Sequence, residues 1–210
     1  MSGRIVVLTK APIPGRVKTR LGEHIGHDAA AAIHETMVVE TIRLAMSTGL
    51  PVTVSVDLDP GGRFMRRLQP LGVSVEAQAD GDLGDRLTHA MRHPGRTIAL
   101  GSDCVVFDPK WLVECVHSQA DVSIGPAEDG GYWTIALDGS TPRLTTSAFA
   151  DMPWSTPALH QETCSRLQSA GFSVHTLPAA YDVDDLSDLQ RLAADRRCAE
   201  PLRAAVKRLL

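Results

Sequence analysis

Residues 4–9, Arg-Ile-Val-Val-Leu-Thr, form a short apolar run that stops at a stretch containing Pro12, Pro14 and Gly15. A run of this length closed by breakers reads as a buried strand. The pattern then repeats. Further strands are expected at 51–56, 73–78, 97–100, 122–125, 132–137 and 172–177, and helix-period segments at 28–48, 62–68, 83–91, 111–119, 157–170, 187–196 and 201–209. Strands that alternate with helices predict an α/β protein with a three-layer αβα arrangement: a mainly parallel sheet covered by helices on both faces. No repeat, low-complexity tract or linker interrupts the pattern, so residues 1–210 are expected to form one domain.

The connection after the first strand is unusually basic. Lys10, Arg16, Lys18 and Arg20 lie between residues 10 and 22 with no acidic residue among them, in a chain whose formal net charge is −4. Open α/β sheets bind ligands at the carboxyl ends of their strands, where this segment begins. Four cations and a Gly15 backbone able to approach oxygens closely suit a small polyanion such as a nucleoside triphosphate. The competing reading is a solvated loop stiffened by its prolines. The segment lacks the Walker pattern. On the phosphate reading, the cations act on ligand and not on folding, because they lie on an exposed connection.

The acidic balance argues against nonspecific nucleic-acid binding, which needs a broad basic face. No apolar stretch approaches the ~18 residues that span a bilayer, and no charged-then-apolar leader precedes the first strand, so a cytoplasmic protein without a membrane partner is expected. Cys104, Cys115, Cys164 and Cys198 are scattered without a Cys-x-x-Cys pair, as expected of reduced, mostly buried thiols.

Three acidic places stand out. Gly101-Ser-Asp103 follows the 97–100 strand and puts a carboxylate at its carboxyl tip, where a divalent cation, Mg²⁺ or Mn²⁺, would meet a phosphate; the alternative is an Asp that caps the next turn. Asp182 and Asp184 follow the last strand, and one or both can complete the cation's shell, unless this cluster simply starts a helix. Between two strands, Glu128-Asp129-Gly130-Gly131-Tyr132-Trp133 reads either as a tight hairpin or as an acceptor site. In the second case the aromatics are a wall and an acid holds a hydroxyl or amine. Gly81-Asp82-Leu83-Gly84 opens a helix, with Asp82 as an ordinary cap or the backbone donors free for ribose or phosphate. Thr156 before Pro157 reads as a helix cap, and Trp154 as core or acceptor contact.

Taken together, Lys10-Ala-Pro-x-Pro-Gly-Arg-x-Lys-Thr-Arg-Leu21, Gly81-Asp-Leu-Gly84, Gly101-Ser-Asp-Cys104, Pro126-Ala-Glu-Asp-Gly-Gly-Tyr-Trp133, Pro153-Trp-Ser-Thr156 and Asp182-Val-Asp184 resemble a family of small bacterial GT-A-fold transferases. Members are commonly labelled glycosyltransferases, some of them associated with arsenosugar biosynthesis. More distantly, the chain is similar to the guanylyltransferase that activates phospholactate or phosphoenolpyruvate, with Tyr132 where that enzyme carries Thr. The resemblance implies the nucleotide-diphospho-sugar transferase fold. Lys10, Gly15, Arg16, Lys18, Arg20, Gly81, Asp82 and Gly84 would bind nucleotide, and Asp103, Asp182 and Asp184 the metal. Glu128, Asp129, Gly130, Gly131, Tyr132, Trp154 and Ser155 would bind a small-molecule acceptor, with Lys18, Asp103 and Asp129 catalytic. Two chemistries remain open: nucleotidyl transfer from a triphosphate to a phosphorylated acceptor, and glycosyl transfer from a nucleotide sugar with Glu128 or Asp129 as base. A nucleotide sensor without turnover would need no carboxylate at the strand tip.

Overall fold

The computed structural model describes residues 3–57 and 59–210. In chain order the first elements are β1 (Gly3–Lys10), α1 (Thr19–Ile25), α2 (His27–Met46), β2 (Val52–Asp57), α3 (Arg63–Leu68), β3 (Ser74–Ala77), α4 (Leu83–Ala90) and β4 (Arg96–Gly101). They are followed by α5 (Lys110–His117), β5 (Val122–Pro126), β6 (Tyr132–Asp138), α6 (Pro142–Phe149), α7 (Leu159–Ser169), β7 (Val174–Thr176), α8 (Leu186–Ala194) and α9 (Glu200–Lys207). The seven strands make one sheet in the order β3-β2-β1-β4-β6-β5-β7. It is parallel except at β6, which runs antiparallel to both β4 and β5.

Strand periodicity explains how two layers of helices find their places. Ile5 and Val7 of β1 and Ile98 and Leu100 of β4 join one core cluster with Leu112, Cys115 and Val116 of α5 and Ala45 of α2. The intervening Leu8 and Ala99 pack instead with Leu87 of α4 and Ala148 and Phe149 of α6. At the edge nearest β3, Val54 and Val56 cover Phe64 and Leu68 of α3 and Val38 and Ile42 of α2. All four cysteines are free, and three of them are buried.

Several boundaries differ from the sequence expectation for identifiable reasons. The first helical region starts earlier than residue 28 and is broken at Gly26, whose φ of +87° ends α1 and opens α2. Thr19 and Arg20 therefore sit on a helix, not in the basic loop. Thr156 caps nothing: its hydroxyl donates to the Pro153 carbonyl (2.7 Å), and α7 starts three residues later at Leu159. Trp133 packs into the core. It is 2% exposed, stacks on Phe107 at 5.0 Å, and donates through Nε1 to Pro178 O (3.2 Å).

Candidate active site

After β1 the chain moves outward through β2 to β3, then returns to place β4 on the other flank of β1. The reversal leaves a crevice at the carboxyl ends of β1 and β4, the usual ligand position in such sheets. Two hydrogen bonds draw the walls together. Ser102 Oγ, just past β4, donates to Thr9 Oγ1 of β1 at 3.0 Å, and Val183 N donates to the Asp103 carbonyl at 3.1 Å. The second bond brings the segment after β7 alongside the β4 tip. The resulting cleft, of about 520 Å³, is lined by Lys10, Arg16, Lys18, Asp103, Ser155 and Asp184, among others. A wider groove of about 890 Å³ runs beside Pro12, Pro14 and the arginines of α3. Its acid, Asp59, is engaged in capping Phe64 N and Met65 N.

Lys18 is the hinge of this cleft, and it corrects the expectation of an exposed cation. Its side chain is 4% exposed, and its ammonium bonds Asp103 and, at 2.9 Å, Asp184. The backbone bends to make this possible: Lys18 has φ +46°, a left-handed conformation uncommon for a residue with a Cβ. Burial works against the ammonium, but Asp103 and Asp184 together raise its pKa above the usual lysine value. Partial burial likewise opposes charge on Asp103, and the pull of Lys18 with help from Lys10 holds the carboxyl below its ordinary value. Arg20, 67% exposed, adds a bond to Asp184 (2.8 Å). Of the four basic residues, Lys10 and Arg16 remain exposed at the cleft.

Asp182 is the opposite case. Its pKa is pushed up to about 6, first by burial and then by Asp103, Asp129 and Asp184, against a lowering from the Cys104 thiol, which donates to it at 2.7 Å. Burial is the main cause, and the neighbouring carboxylates add to it. The sign of the linkage follows. A carboxyl whose folded pKa exceeds its unfolded value favours folding at low pH, and that contribution is lost as pH rises from about 4 to about 6. Asp182→Asn is therefore expected to stabilise the unliganded protein at pH 7 by on the order of 2 kcal/mol, with the gain vanishing below about pH 4. Thermal unfolding at pH 4 and 7 measures this, and an unchanged or lowered midpoint at pH 7 contradicts it.

The remaining expected site residues are spread around this cleft. Gly15, at φ +75°, makes the turn that carries Arg16. Asp82 caps α4 in a reciprocal box with Asp85, and with Gly84 it lines a separate groove that includes Thr145 and Asp151. Gly84 is needed for close approach: a Cβ there would meet the Phe149 carbonyl at 2.6 Å and Trp154 at 3.2 Å. Gly81 is the exposed turn before the cap. Glu128 forms a two-armed pair with Arg191 (2.7 and 2.8 Å), whose guanidinium lies 3.8 Å over Tyr181. Asp129 accepts from Gly131 N (2.9 Å), and Gly130 is packed against Pro157. Tyr132 Oη and Trp154 Nε1 are buried without a hydrogen-bond partner.

Sequence reasoning missed three polar residues of the cleft. His34 of α2 holds the Lys10 carbonyl through Nε2 (3.0 Å), so that nitrogen carries the proton and the partnerless Nδ1 is an acceptor. Burial lowers its pKa and keeps it neutral. Gln78 donates to Thr9 O (3.0 Å) and Ser55 O (2.9 Å) and accepts from Arg86, which also pairs with Asp57 (2.7 Å). A histidine in helix register with the buried Ala30 and Val38 was a readable signal for the first. Gln78 and Arg86 carried none, because their roles depend on β1 and β2 lying side by side.

A family model described as an uncharacterized protein conserved in bacteria (DUF2064) matches residues 41–156. A crystal structure from Desulfovibrio desulfuricans G20, of a protein provisionally named a nucleotide-diphospho-sugar transferase, is 27% identical, with a TM-score of 0.87 over 99% of this chain and 95% of that one. The inositol-1-phosphate CTP transferase from T. maritima is 10% identical, with a TM-score of 0.63 over 100% of this chain and 97% of its own. The CTP:phosphocholine cytidylyltransferase from Streptococcus pneumoniae is also 10% identical, with a TM-score of 0.57 over 91% of this chain and 98% of its own. The last two likenesses are of fold. No curated protein matches the chain. The architecture is that of the nucleotide-diphospho-sugar transferases and nucleotidyltransferases, and no helix among the described residues is long and apolar enough to cross a membrane.

Proposed function

We propose that this chain, which belongs to the bacterial family DUF2064, is a metal-dependent transferase that moves a nucleotidyl group from a nucleoside triphosphate to a small phosphorylated acceptor. The observation that carries this reading is the meeting of Lys10, Arg16 and Lys18 with Asp103 and Asp184 in one cleft at the β1/β4 switch point. The donor chemistry fits a hard divalent cation. Asp103, Asp182 and Asp184 offer carboxylate oxygens, the hard donors that such a cation takes. Among the described residues no three His, Cys, Asp or Glu side chains are gathered closely enough to hold a metal ion; Lys18 joins Asp103 to Asp184, and Cys104 donates to Asp182. Mg²⁺ or Mn²⁺ held by these carboxylates would neutralise phosphate charge and polarise the reacting phosphorus.

The chain's own groups do the rest. Lys10 and Arg16, exposed at the rim, bind the outer phosphates. Lys18 moves its ammonium from the carboxylates toward the phosphates when nucleotide enters. The acceptor phosphate then attacks the α-phosphorus, and the bond to the leaving pyrophosphate breaks. No protein nucleophile is needed, so catalysis rests on positioning and charge. A second reading, glycosyl transfer from a nucleotide sugar, is favoured by the 27% identical relative and its name. In that case Asp129, exposed on the β5–β6 turn, is the candidate base.

Ligand stabilisation separates the two readings. With Mg²⁺ present, a triphosphate at 100 times its Kd should stabilise the fold by about 2.7 kcal/mol, or roughly 5 to 10 °C for a chain of this size. ATP, CTP, GTP and UTP are compared with UDP-glucose and GDP-mannose. At least one triphosphate is expected to outperform both sugar nucleotides, and the reverse order would favour the second reading.

A further inference from the structure

Asp103 and Asp184 reach the cleft from separate parts of the fold, one from the tip of β4 and the other from the segment after β7. A single ammonium joins their side chains. Lys18 Nζ donates to Asp103 Oδ1 and, at 2.9 Å, to Asp184 Oδ1, while Arg20 donates to the second oxygen of Asp184 at 2.8 Å. Two cations thus meet two anions, and these four side chains present no net charge to an arriving ion. The carboxylates are still within its reach, since Asp103 and Asp184 keep 49% and 37% of their side-chain exposure. The backbone is committed as well. Lys18 holds its left-handed φ of +46° immediately before α1, a conformation that persists in a residue with a Cβ only where the surroundings fix it. Lys10 and Arg16 line the same cleft, so a polyanion that enters there is brought beside Lys18.

We infer that Lys18 is an autoinhibitory latch: in the free protein its ammonium occupies the oxygens of Asp103 and Asp184 that would take the divalent cation, and a polyphosphate must draw it off before that cation can bind. The inference rests on the metal-dependent transferase reading and deepens it by fixing an order of binding at this site, polyphosphate first. Carboxylate oxygens are what a hard cation and an ammonium both seek, and the two cannot share them without bringing like charges together. Arg20 cannot act as the latch, because its guanidinium is 67% exposed and bonds Asp184 alone. A purely structural ion pair makes the opposite forecast, in which removal of Lys18 loosens the cleft and creates no cation site.

Mn²⁺ alone, with no nucleotide present, is the probe. Electron paramagnetic resonance follows free Mn²⁺ as it is titrated into wild-type protein, Lys18→Met and Lys18→Met/Asp103→Asn. Lys18→Met should bind the ion about tenfold or more tightly than the wild type, because a positive charge a few ångströms from the site has gone. The double variant should lose that gain. Mn²⁺ should also raise the unfolding midpoint of Lys18→Met and leave that of the wild type in place. If Lys18→Met does not fold, Lys18→Gln, which can still donate to a carboxylate but carries no charge, serves for the same comparison. Equal Mn²⁺ affinities in the wild type and the Lys18 variant, or a gain that survives Asp103→Asn, would overturn the inference. The nucleotide thermal shift on the wild type identifies which idea has failed. Stabilisation by a nucleotide alongside equal Mn²⁺ affinities removes the latch alone; no stabilisation by any nucleotide removes the transferase reading and the latch with it.

Discussion

Replacing Lys18 with methionine is expected to lower the unfolding midpoint of the unliganded protein by several degrees and to weaken nucleotide binding at least tenfold. The ammonium is 4% exposed and bonded to two carboxylates, so its removal leaves Asp103 and Asp184 facing each other. Breaking a buried pair in this way costs about 3 to 5 kcal/mol. Here the carboxylates keep 49% and 37% of their exposure, and solvent recovers part of that. A loss of about 1 to 3 kcal/mol remains, worth roughly 2 to 12 °C at this chain length. Arg20→Met is the control. Its guanidinium is 67% exposed and makes one surface bond, so it should cost less than about 1 kcal/mol. Equal effects of the two changes on the midpoint would show that Lys18 is not the structural member of the pair.

Asp103→Asn is expected to leave a folded protein whose turnover falls by about 10²- to 10³-fold, the typical loss when one preorganised electrostatic group is removed from a reacting centre. Asparagine keeps the shape and can still accept from Lys18, so the midpoint should fall less than in Lys18→Met. What it loses is the charge that, with Asp184, would hold a divalent cation against the phosphates. Turnover within tenfold of wild type, or wild-type turnover in excess chelator, would remove Asp103 from the centre of the chemistry.

The elements that could be read from sequence are those whose signal is local. β1, β4 and the strand pair β5 and β6 each announce themselves as short apolar runs between breakers, and Asp103 stands out because polar residues at the tip of such a run need a reason. The Lys18 contacts were not readable. Its place in a basic run said that it was exposed, while its burial comes from partners 85 and 166 residues away that the sheet and the Val183–Asp103 hydrogen bond deliver. The pairing of Glu128 with Arg191 was equally unreadable, because Arg191 lies on α8. Trp133 looked like a ligand wall since it followed a glycine pair. Yet strand alternation alone places Trp133 and Tyr132 on opposite faces, and only the packing of Phe107 decides which of them is core.

The most direct test of the central claim is chemical. Phosphorus NMR follows wild-type protein and Asp103→Asn incubated with Mg²⁺, each of the four nucleoside triphosphates, and a panel of small phosphorylated acceptors that includes glucose 1-phosphate and phosphoenolpyruvate. The proposed mechanism predicts that inorganic pyrophosphate appears together with a new pair of mutually coupled resonances from the phosphoanhydride (P–O–P) of the nucleotidylated acceptor, in the wild type and not in the variant. Release of a nucleoside diphosphate from a sugar nucleotide, with no pyrophosphate from any triphosphate, would contradict it and make the protein a glycosyltransferase.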